Sequence, residues 1–220
     1  MTIRVLLADD QDLLRTGFRL ILEAESDLEV VGEAVDGADA VRIASQIHPD
    51  VVLMDIRMPI MDGVTATQKL IALSLGIRVL ILTTFHLDEY VMSALRAGAA
   101  GFLLKDVRAT DLVQAIRVVA AGDGVVAPAV TRRLIEHFAR LPAEAPAEPV
   151  DLRGLTEREV DVIRLVARGL SNQEIAGSLV VTETTVKTHV HNALTKLNLR
   201  DRVQLAVFAY DSGLVRPRSS

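Results

Sequence analysis

Short apolar runs alternate regularly with longer amphipathic stretches over the first 121 residues, and few folds accommodate this pattern. The apolar runs predict strands at 3–8, 28–34, 50–54, 77–82 and 101–104. The amphipathic stretches predict helices at 11–24, 37–47, 62–73, 88–97 and 109–121. Five strand–helix units in succession predict a parallel sheet with right-handed crossovers and helices on both faces. We therefore expect residues 1–124 to form one doubly wound α/β domain.

The rest of the chain follows a helical pattern. A helical stretch at 128–140 leads into residues 141–149, where three prolines among Ala and Glu cannot form a core. We expect residues 125–150 to be a linker helix and a proline-rich tether. Helical periodicity then returns at 156–168, 172–179, 183–197 and 201–212. This pattern predicts a small all-α domain over residues 151–215.

Composition and charge restrict the functional classes. The chain has no Cys, which excludes disulfides, thiolate metal sites and cysteine nucleophiles. Residues 1–128 hold 11 Lys and Arg against 18 Asp and Glu, whereas residues 151–220 hold 10 against 8. The mildly basic second half is a weak indication of nucleic-acid binding. Because no apolar run approaches the roughly 18 residues of a membrane helix and no signal peptide is recognisable, we expect a cytoplasmic protein with no membrane partner.

Polar side chains follow several of the predicted strands. Asp9 and Asp10 come after the first strand, Asp55 ends the third, Thr83 ends the fourth and Lys105 follows the fifth. In a parallel sheet these ends meet at one edge. Together they indicate phosphoryl transfer to a carboxylate, with Asp55 as the nucleophile. Asp9 and Asp10 would hold a divalent cation such as Mg²⁺. Lys105 would supply positive charge and Thr83 a hydroxyl donor.

Each of these residues also has an ordinary structural explanation. Asp9 and Asp10 could cap the first helix, since Asp is common at helix N-caps. Asp55 and Arg57 could form a surface ion pair, and Lys105 could lie in a solvated turn. The joint pattern favours the phosphoryl-transfer interpretation, because all the residues fall at successive strand ends.

The second domain contains two consecutive helices of the helix-turn-helix kind. Ser171 with Glu174 predicts a capping box, and Thr182 is expected to cap the next helix. In the helix at 183–197, one apolar stripe is predicted to be buried: Val186, Val190, Ala193, Leu194 and Leu197.

The opposite face of that helix is polar and suits a DNA major groove. We expect Lys187, Thr188 and His191 to read bases, and Thr184 and Thr185 to contact phosphates. The alternative is the solvated face of a helix that binds another protein.

Four segments of the first domain resemble the receiver domain of bacterial response regulators over about residues 2–121. They are Asp9-Asp10, residues 54–59 (MDIRMP) with 61–63 (MDG), Thr83, and residues 101–105 (GFLLK). The resemblance implies a flavodoxin-like fold with a five-stranded parallel sheet, and Asp55 as the phospho-acceptor. The implied Mg²⁺ ligands are Asp9, Asp10, Asp55 and the backbone carbonyl of Arg57. The resemblance also implies that Thr83 shifts toward the phosphoryl group while Phe102 changes its packing. Asp106 stands where many receivers carry Pro, as in NarL-type members.

Three further segments resemble the LuxR-type helix-turn-helix over about residues 152–214. They are residues 155–159 (LTERE), 169–176 (GLSNQEIA) and 184–190 (TTVKTHV). This resemblance implies that Glu159 orients the recognition helix. It also implies that residues 201–213 form a dimer helix, with an apolar stripe of Val203, Ala206, Val207 and Tyr210.

The two resemblances together are those of a NarL/FixJ-type response regulator. They imply a protein that is not an enzyme, that a sensor histidine kinase phosphorylates on Asp55, and that binds double-stranded DNA as a homodimer when active. An alternative is a phosphatase of the haloacid-dehalogenase kind, but its second Asp is replaced here by Arg57. The remaining alternative is a pure interaction protein.

Overall fold

The computed structural model describes residues 2–73, 75–84, 93–122, 125–126 and 154–215. The chain divides into two compact units, Met1–Ala127 and Pro128–Ser220. The predicted linker helix at 128–140 and the tether at 141–149 lie outside the described residues. A further helix is predicted at 88–97. Its residues 88–92 also lie outside the described residues, and its residues 93–96 are helical. Within the described residues, no helix combines the length and the apolar character that crossing a membrane requires.

The core of the first unit is a parallel sheet. Five strands form within one residue of their predicted bounds: β1 (Ile3–Ala8), β2 (Leu28–Ala34), β3 (Val51–Asp55), β4 (Arg78–Thr83) and β5 (Gly101–Leu104). All residues of β3 and all but the first of β4 are buried. Burial on both faces explains why these two strands read as nearly continuous apolar runs.

A short sixth strand, β6 (Val125–Val126), pairs in parallel with β5. The strand order is β2-β1-β3-β4-β5-β6. These two residues fall within the predicted linker, because a strand of two residues shows no readable period. The sheet is therefore one strand wider than predicted, while the flavodoxin-like arrangement of the first five strands is confirmed.

Besides the helical residues 93–96, four helices whose two ends are both described flank the sheet: α1 (Asp12–Glu23), α2 (Gly37–Ile47), α3 (Gly63–Ala72) and α4 (Ala109–Ala120). Asp36 and Asp62 begin α2 and α3 by accepting hydrogen bonds from backbone N–H groups of the first turn. One core cluster is aliphatic apart from Phe18, and it joins side chains of β1, β3 and β4 to those of α1 and α4.

The described part of the second unit is helical, with α5 (Glu157–Ala167), α6 (Asn172–Leu179), α7 (Glu183–Leu197) and α8 (Arg202–Asp211). Thr156 and Ser171 each form a complete capping box, and Thr182 accepts the N–H of Thr185. Val180 takes a left-handed conformation as the C-cap of α6, and its N–H donates to the carbonyl of Ala176. The predicted apolar stripe of α7 is confirmed, since its residues belong to the core or pack against it.

Candidate functional site

The strand ends that carry polar residues meet at one edge of the sheet. β1 pairs with β3 through Ala8 and Met54, so Asp9 and Asp55 follow at neighbouring positions. The ends of β4 and β5 are also paired, which brings Lys105 to the same edge. A cavity of about 250 Å³ opens there. It is lined by Asp10, Gln11, Asp55, Arg57, Thr84 and Lys105.

The Lys105 ammonium lies between two carboxylates. Its Nζ is 2.6 Å from Oδ2 of Asp9 and 3.0 Å from Oδ2 of Asp55. The three side chains are only 5–7% exposed, so water screens these charges weakly. The cation offsets the repulsion between the two carboxylates, whose charges would otherwise be costly to bury. The alternative that Lys105 lies in a solvated turn is wrong.

The environment of Asp55 combines burial with directed polar contacts. Its Oδ1 accepts the N–H of Ile56 at 2.8 Å, and its Oδ2 faces Lys105. Burial raises the pKa of Asp55 above its ordinary value, the ammonium of Lys105 opposes this rise, and the charge of Asp9 adds to it. A further cation beside Asp55 would favour the ionised carboxylate, which is the nucleophilic form.

The acidic residues of this edge fit a hard divalent cation. Asp9, Asp10 and Asp55 each offer a carboxylate oxygen, and the three oxygens lie within 4.8 Å of one another. Oδ2 of Asp9 is buried and receives no well-directed hydrogen bond from the described residues, although Lys105 is close. Carboxylate oxygens are the ligands that Mg²⁺ prefers. The residues present therefore fit the expected ion.

Gly63 allows the loop after β3 to approach Asp55. A Cβ atom at this position would lie 2.0 Å from the carbonyl oxygen of Asp55. The Gly63 N–H donates to the carbonyl of Ile56 at 2.8 Å, which holds the start of α3 against the end of β3. Asp62-Gly63 belongs to a motif of the receiver resemblance, but the sequence alone does not reveal this steric requirement.

The two predicted switch residues lie on neighbouring strands. The Thr83 hydroxyl donates to the backbone carbonyl of Thr84 at 3.2 Å, and the cavity lining includes Thr84 rather than Thr83. Phe102 is fully buried beside Ile81 in the strand register. In this structure, then, neither side chain lines the cavity.

The alternative that Asp9 and Asp10 serve as the N-cap of α1 is wrong. The N-cap residue is Gln11, whose side chain makes no capping hydrogen bond. Asp9 accepts the backbone N–H of Gln11 at 3.0 Å through Oδ1, which leaves Oδ2 directed to Lys105.

The second site is the polar face of α7. Thr184, Lys187, Thr188 and His191 are exposed, and Thr185 is half-buried. The hydroxyl of Thr188 donates to the carbonyl of Thr184 at 3.0 Å, and that of Thr185 contacts Thr182 at 2.8 Å. Lys187 pairs with Glu183 at 3.1 Å, a partner that was not predicted from the sequence.

An ion pair between a buried glutamate and a partly exposed lysine connects α7 to α5. The Nζ of Lys196 lies 2.8 and 2.9 Å from the carboxylate oxygens of Glu159, which is 2% exposed. Glu159 also accepts the N–H of Thr156 at 2.8 Å. Burial raises the pKa of Glu159, but the Lys196 ammonium and the Thr156 N–H outweigh it and hold the pKa below its ordinary value. These contacts accord with an orienting role for Glu159.

The predicted dimer helix, α8, packs partly against the core of its own domain. Leu205 and Ala209 belong to the core, and Ala206 and Tyr210 pack against it. The Tyr210 hydroxyl donates to the carbonyl of Ala167 at 2.9 Å. Val203 and Val207, the other members of the predicted stripe, are also buried.

A parallel α/β unit with an acidic, lysine-containing pocket, followed by a helix-turn-helix unit, is the architecture of a response regulator. Residues 5–117 match the response regulator receiver domain, and residues 153–209 match the luxR family of bacterial regulatory proteins. The chain therefore belongs to the response regulators that carry a LuxR-type DNA-binding domain. Members of this family are transcriptional regulators and generally not enzymes.

Similarity extends along the whole chain. An uncharacterized transcriptional regulatory protein of Bacillus subtilis, YxjL, is 43% identical over 214 residues, which are 97% of this chain and 98% of the relative. The response regulator VraR of Staphylococcus aureus is 40% identical over 216 residues, 98% of this chain and 100% of VraR. Both relatives thus span the two units.

Solved structures show the same architecture. The crystal structure of the response regulator ChrA of a heme-sensing two-component system is 36% identical, with a TM-score of 0.55, over 97% of this chain and 99% of ChrA. The receiver domain of the response regulator NarL from Mycobacterium tuberculosis is 40% identical, with a TM-score of 0.54, over 55% of this chain and 98% of that domain.

Proposed function

We propose that this response regulator accepts a phosphoryl group on Asp55 from a sensor histidine kinase, and that phosphorylation controls its binding to double-stranded DNA. The observation that carries the proposal is the buried cluster of Asp9, Lys105 and Asp55 beside the cavity. Phosphorylation by a kinase is a general property of the family to which the chain belongs.

In the proposed reaction a carboxylate oxygen of Asp55 forms a bond to phosphorus while the P–N bond of a donor phosphohistidine breaks. Mg²⁺, held by Asp9, Asp10, Asp55 and the backbone carbonyl of Arg57, would offset the repulsion between the carboxylate and the phosphoryl oxygens. Lys105 already lies 3.0 Å from Asp55, so its ammonium is in place to exchange a carboxylate partner for a phosphoryl oxygen.

The proposed switch begins at Thr83. To donate to a phosphoryl oxygen, its hydroxyl must leave the Thr84 carbonyl and turn toward the cavity. This movement changes the space beside Phe102, which is buried on the adjacent strand. Phosphorylation would then bias the unit between two packings, provided that the phosphoryl group binds one of them better.

The proposed DNA contact is made by α7 in the major groove. Lys187, Thr188 and His191 are exposed where they would reach base edges. Thr184 and Thr185, near the N-terminus of α7, would contact phosphates, where the positive end of the helix dipole assists. The match of residues 153–209 to the luxR family supports this assignment.

We propose that the active form is a homodimer and that α8 contributes to the contact. Leu205 and Ala209 lie in the core of the domain. The second copy would therefore have to contact the predicted stripe, which also packs on its own domain: Val203, Ala206, Val207 and Tyr210. Size-exclusion chromatography of the phosphorylated proteins tests this contact. The parent chain should elute as a dimer, and Val207→Asp should elute as a monomer.

The test of the acceptor uses acetyl phosphate as donor and phosphate-affinity gel electrophoresis as readout. The full chain should shift in the presence of Mg²⁺, and Asp55→Asn should not. Asp106→Asn is a matched control, since Asp106 is exposed and lies next to Lys105 without lining the cavity. The control should shift like the parent chain. A full shift of Asp55→Asn would overturn the assignment of Asp55.

A further inference from the structure

Arg15 is a buried cation on α1 that the proposed phosphoryl chemistry does not use. The residue is 7% exposed, although its neighbour Asp12 is almost fully exposed. Its guanidinium donates in three directions. Nη1 donates to the carbonyl oxygen of Asp9 at 2.8 Å, Nε to Glu33 at 3.1 Å and Nη2 to Asp12 at 2.7 Å. One side chain thereby connects the end of β1 with β2 and with the first turn of α1.

We infer that Arg15 is a positioning residue that sets the metal-binding geometry of Asp9 and Asp10. The carbonyl that it holds belongs to the peptide joining these two aspartates. A peptide group is planar, so fixing its oxygen also fixes the directions in which the two adjacent Cα atoms present their side chains. The inference rests on the proposed function, since it assumes that the two carboxylates hold a divalent cation.

An arginine suits this task better than another cation. Its planar guanidinium offers donors in a rigid fork, so a single group can hold several acceptors at fixed angles. Glu33 anchors that fork: burial raises the pKa of Glu33, but the guanidinium groups of Arg19 and Arg15 outweigh it and hold the pKa below its ordinary value. The ionised Glu33 in turn keeps the Arg15 side chain directed at the Asp9 carbonyl.

Arg19 provides a matched control within the same cluster. It lies one helical turn after Arg15 on α1 and donates to the other oxygen of Glu33 at 2.6 Å. Its second partner is Glu23 at 2.9 Å. The two arginines therefore share an anchor, and the hydrogen bond to the Asp9 carbonyl distinguishes Arg15.

The experiment measures Mn²⁺ binding to the full chain by electron paramagnetic resonance, which reports the free ion. Circular dichroism first establishes that every variant is folded at the titration temperature. Arg15→Gln should weaken Mn²⁺ binding on the order of 10-fold, the usual cost of removing a group that orients metal ligands. Arg15→Lys keeps the positive charge but loses the forked guanidinium, so its affinity for Mn²⁺ should lie between those of the parent chain and Arg15→Gln. Arg19→Gln should bind Mn²⁺ like the parent chain.

A second readout separates positioning from a general loss of function. In phosphorylation by acetyl phosphate, Arg15→Gln should raise the Mg²⁺ concentration needed for half-maximal rate, whereas saturating Mg²⁺ should restore the parent maximal rate. Equal Mn²⁺ affinities of Arg15→Gln and Arg19→Gln would overturn the inference. Full recovery in Arg15→Lys would also overturn it, because charge alone would then suffice. If Asp9→Asn binds Mn²⁺ as tightly as the parent chain does, the proposed metal site itself is wrong.

Discussion

Replacing Gly63 by alanine should damage both the stability and the chemistry of the first unit. The new Cβ would lie 2.0 Å from the Asp55 carbonyl oxygen, whereas real Cβ atoms essentially never approach other atoms within 3.0 Å. The backbone must therefore move by about 1 Å. Asp55 cannot yield easily, because β3 is paired with both β1 and β4. Overpacking typically costs about 1–3 kcal/mol, and a clash with strand backbone should lie at or above the upper end of that range.

Urea unfolding followed by circular dichroism measures this loss. Gly17→Ala is the matched control, since Gly17 lies inside α1 and a Cβ there has no atom within 4 Å. That control should gain roughly 0.5–1 kcal/mol, the usual advantage of Ala over Gly in a helix. The Gly63→Ala chain should also take up phosphate from acetyl phosphate more slowly, because its Asp55 is displaced. Stability of Gly63→Ala equal to that of the parent chain would refute the steric argument.

Three other predictions concern single side chains. Lys187→Ala should weaken retention of duplex DNA and lower the slope of log affinity against log salt by up to about 1, whereas Arg164→Ala, on α5, should leave the slope unchanged; equal slopes would exclude Lys187 from the interface. Because the folded pKa of Glu159 lies below its ordinary 4.5, its pairing with Lys196 stabilises the fold above that pH and is lost as the pH falls through the folded pKa. Urea unfolding between neutral pH and about pH 3 should therefore show a loss of stability that is smaller in Glu159→Gln, and identical pH profiles would contradict this role. Ile60 is 88% exposed with φ of 63°, so Ile60→Gly should raise the midpoint of thermal unfolding by removing about 1 kcal/mol of strain, and a lower midpoint would show that the conformation is not strained.

Much of the fold could be read from the sequence, because hydrophobic periodicity is a local signal. The alternation of buried runs and amphipathic stretches predicts β1 to β5 and the helices near their observed bounds. The convergence of Asp9, Asp55 and Lys105 follows from the same signal, since parallel strands place their carboxyl ends at one edge. The caps at Ser171 and Thr182 were predicted from local spacing.

The features that sequence reasoning missed depend on contacts between distant segments. β6 has two residues and is defined by its pairing with β5 rather than by a pattern of its own. Arg15 lies on a helix face that also carries charged residues, and its contact with the Asp9 carbonyl depends on how α1 packs against β1. Glu183 could have been found from its spacing of four residues before Lys187, which is typical of helical ion pairs.

Chemical trapping tests directly whether Asp55 accepts the phosphoryl group. An aspartyl phosphate is reduced by borohydride to homoserine, which marks the modified residue permanently. After phosphorylation of the full chain and borohydride reduction, peptide mass spectrometry should find homoserine at position 55 and aspartate at positions 9 and 10. Homoserine at another aspartate, with position 55 unmodified, would contradict the account.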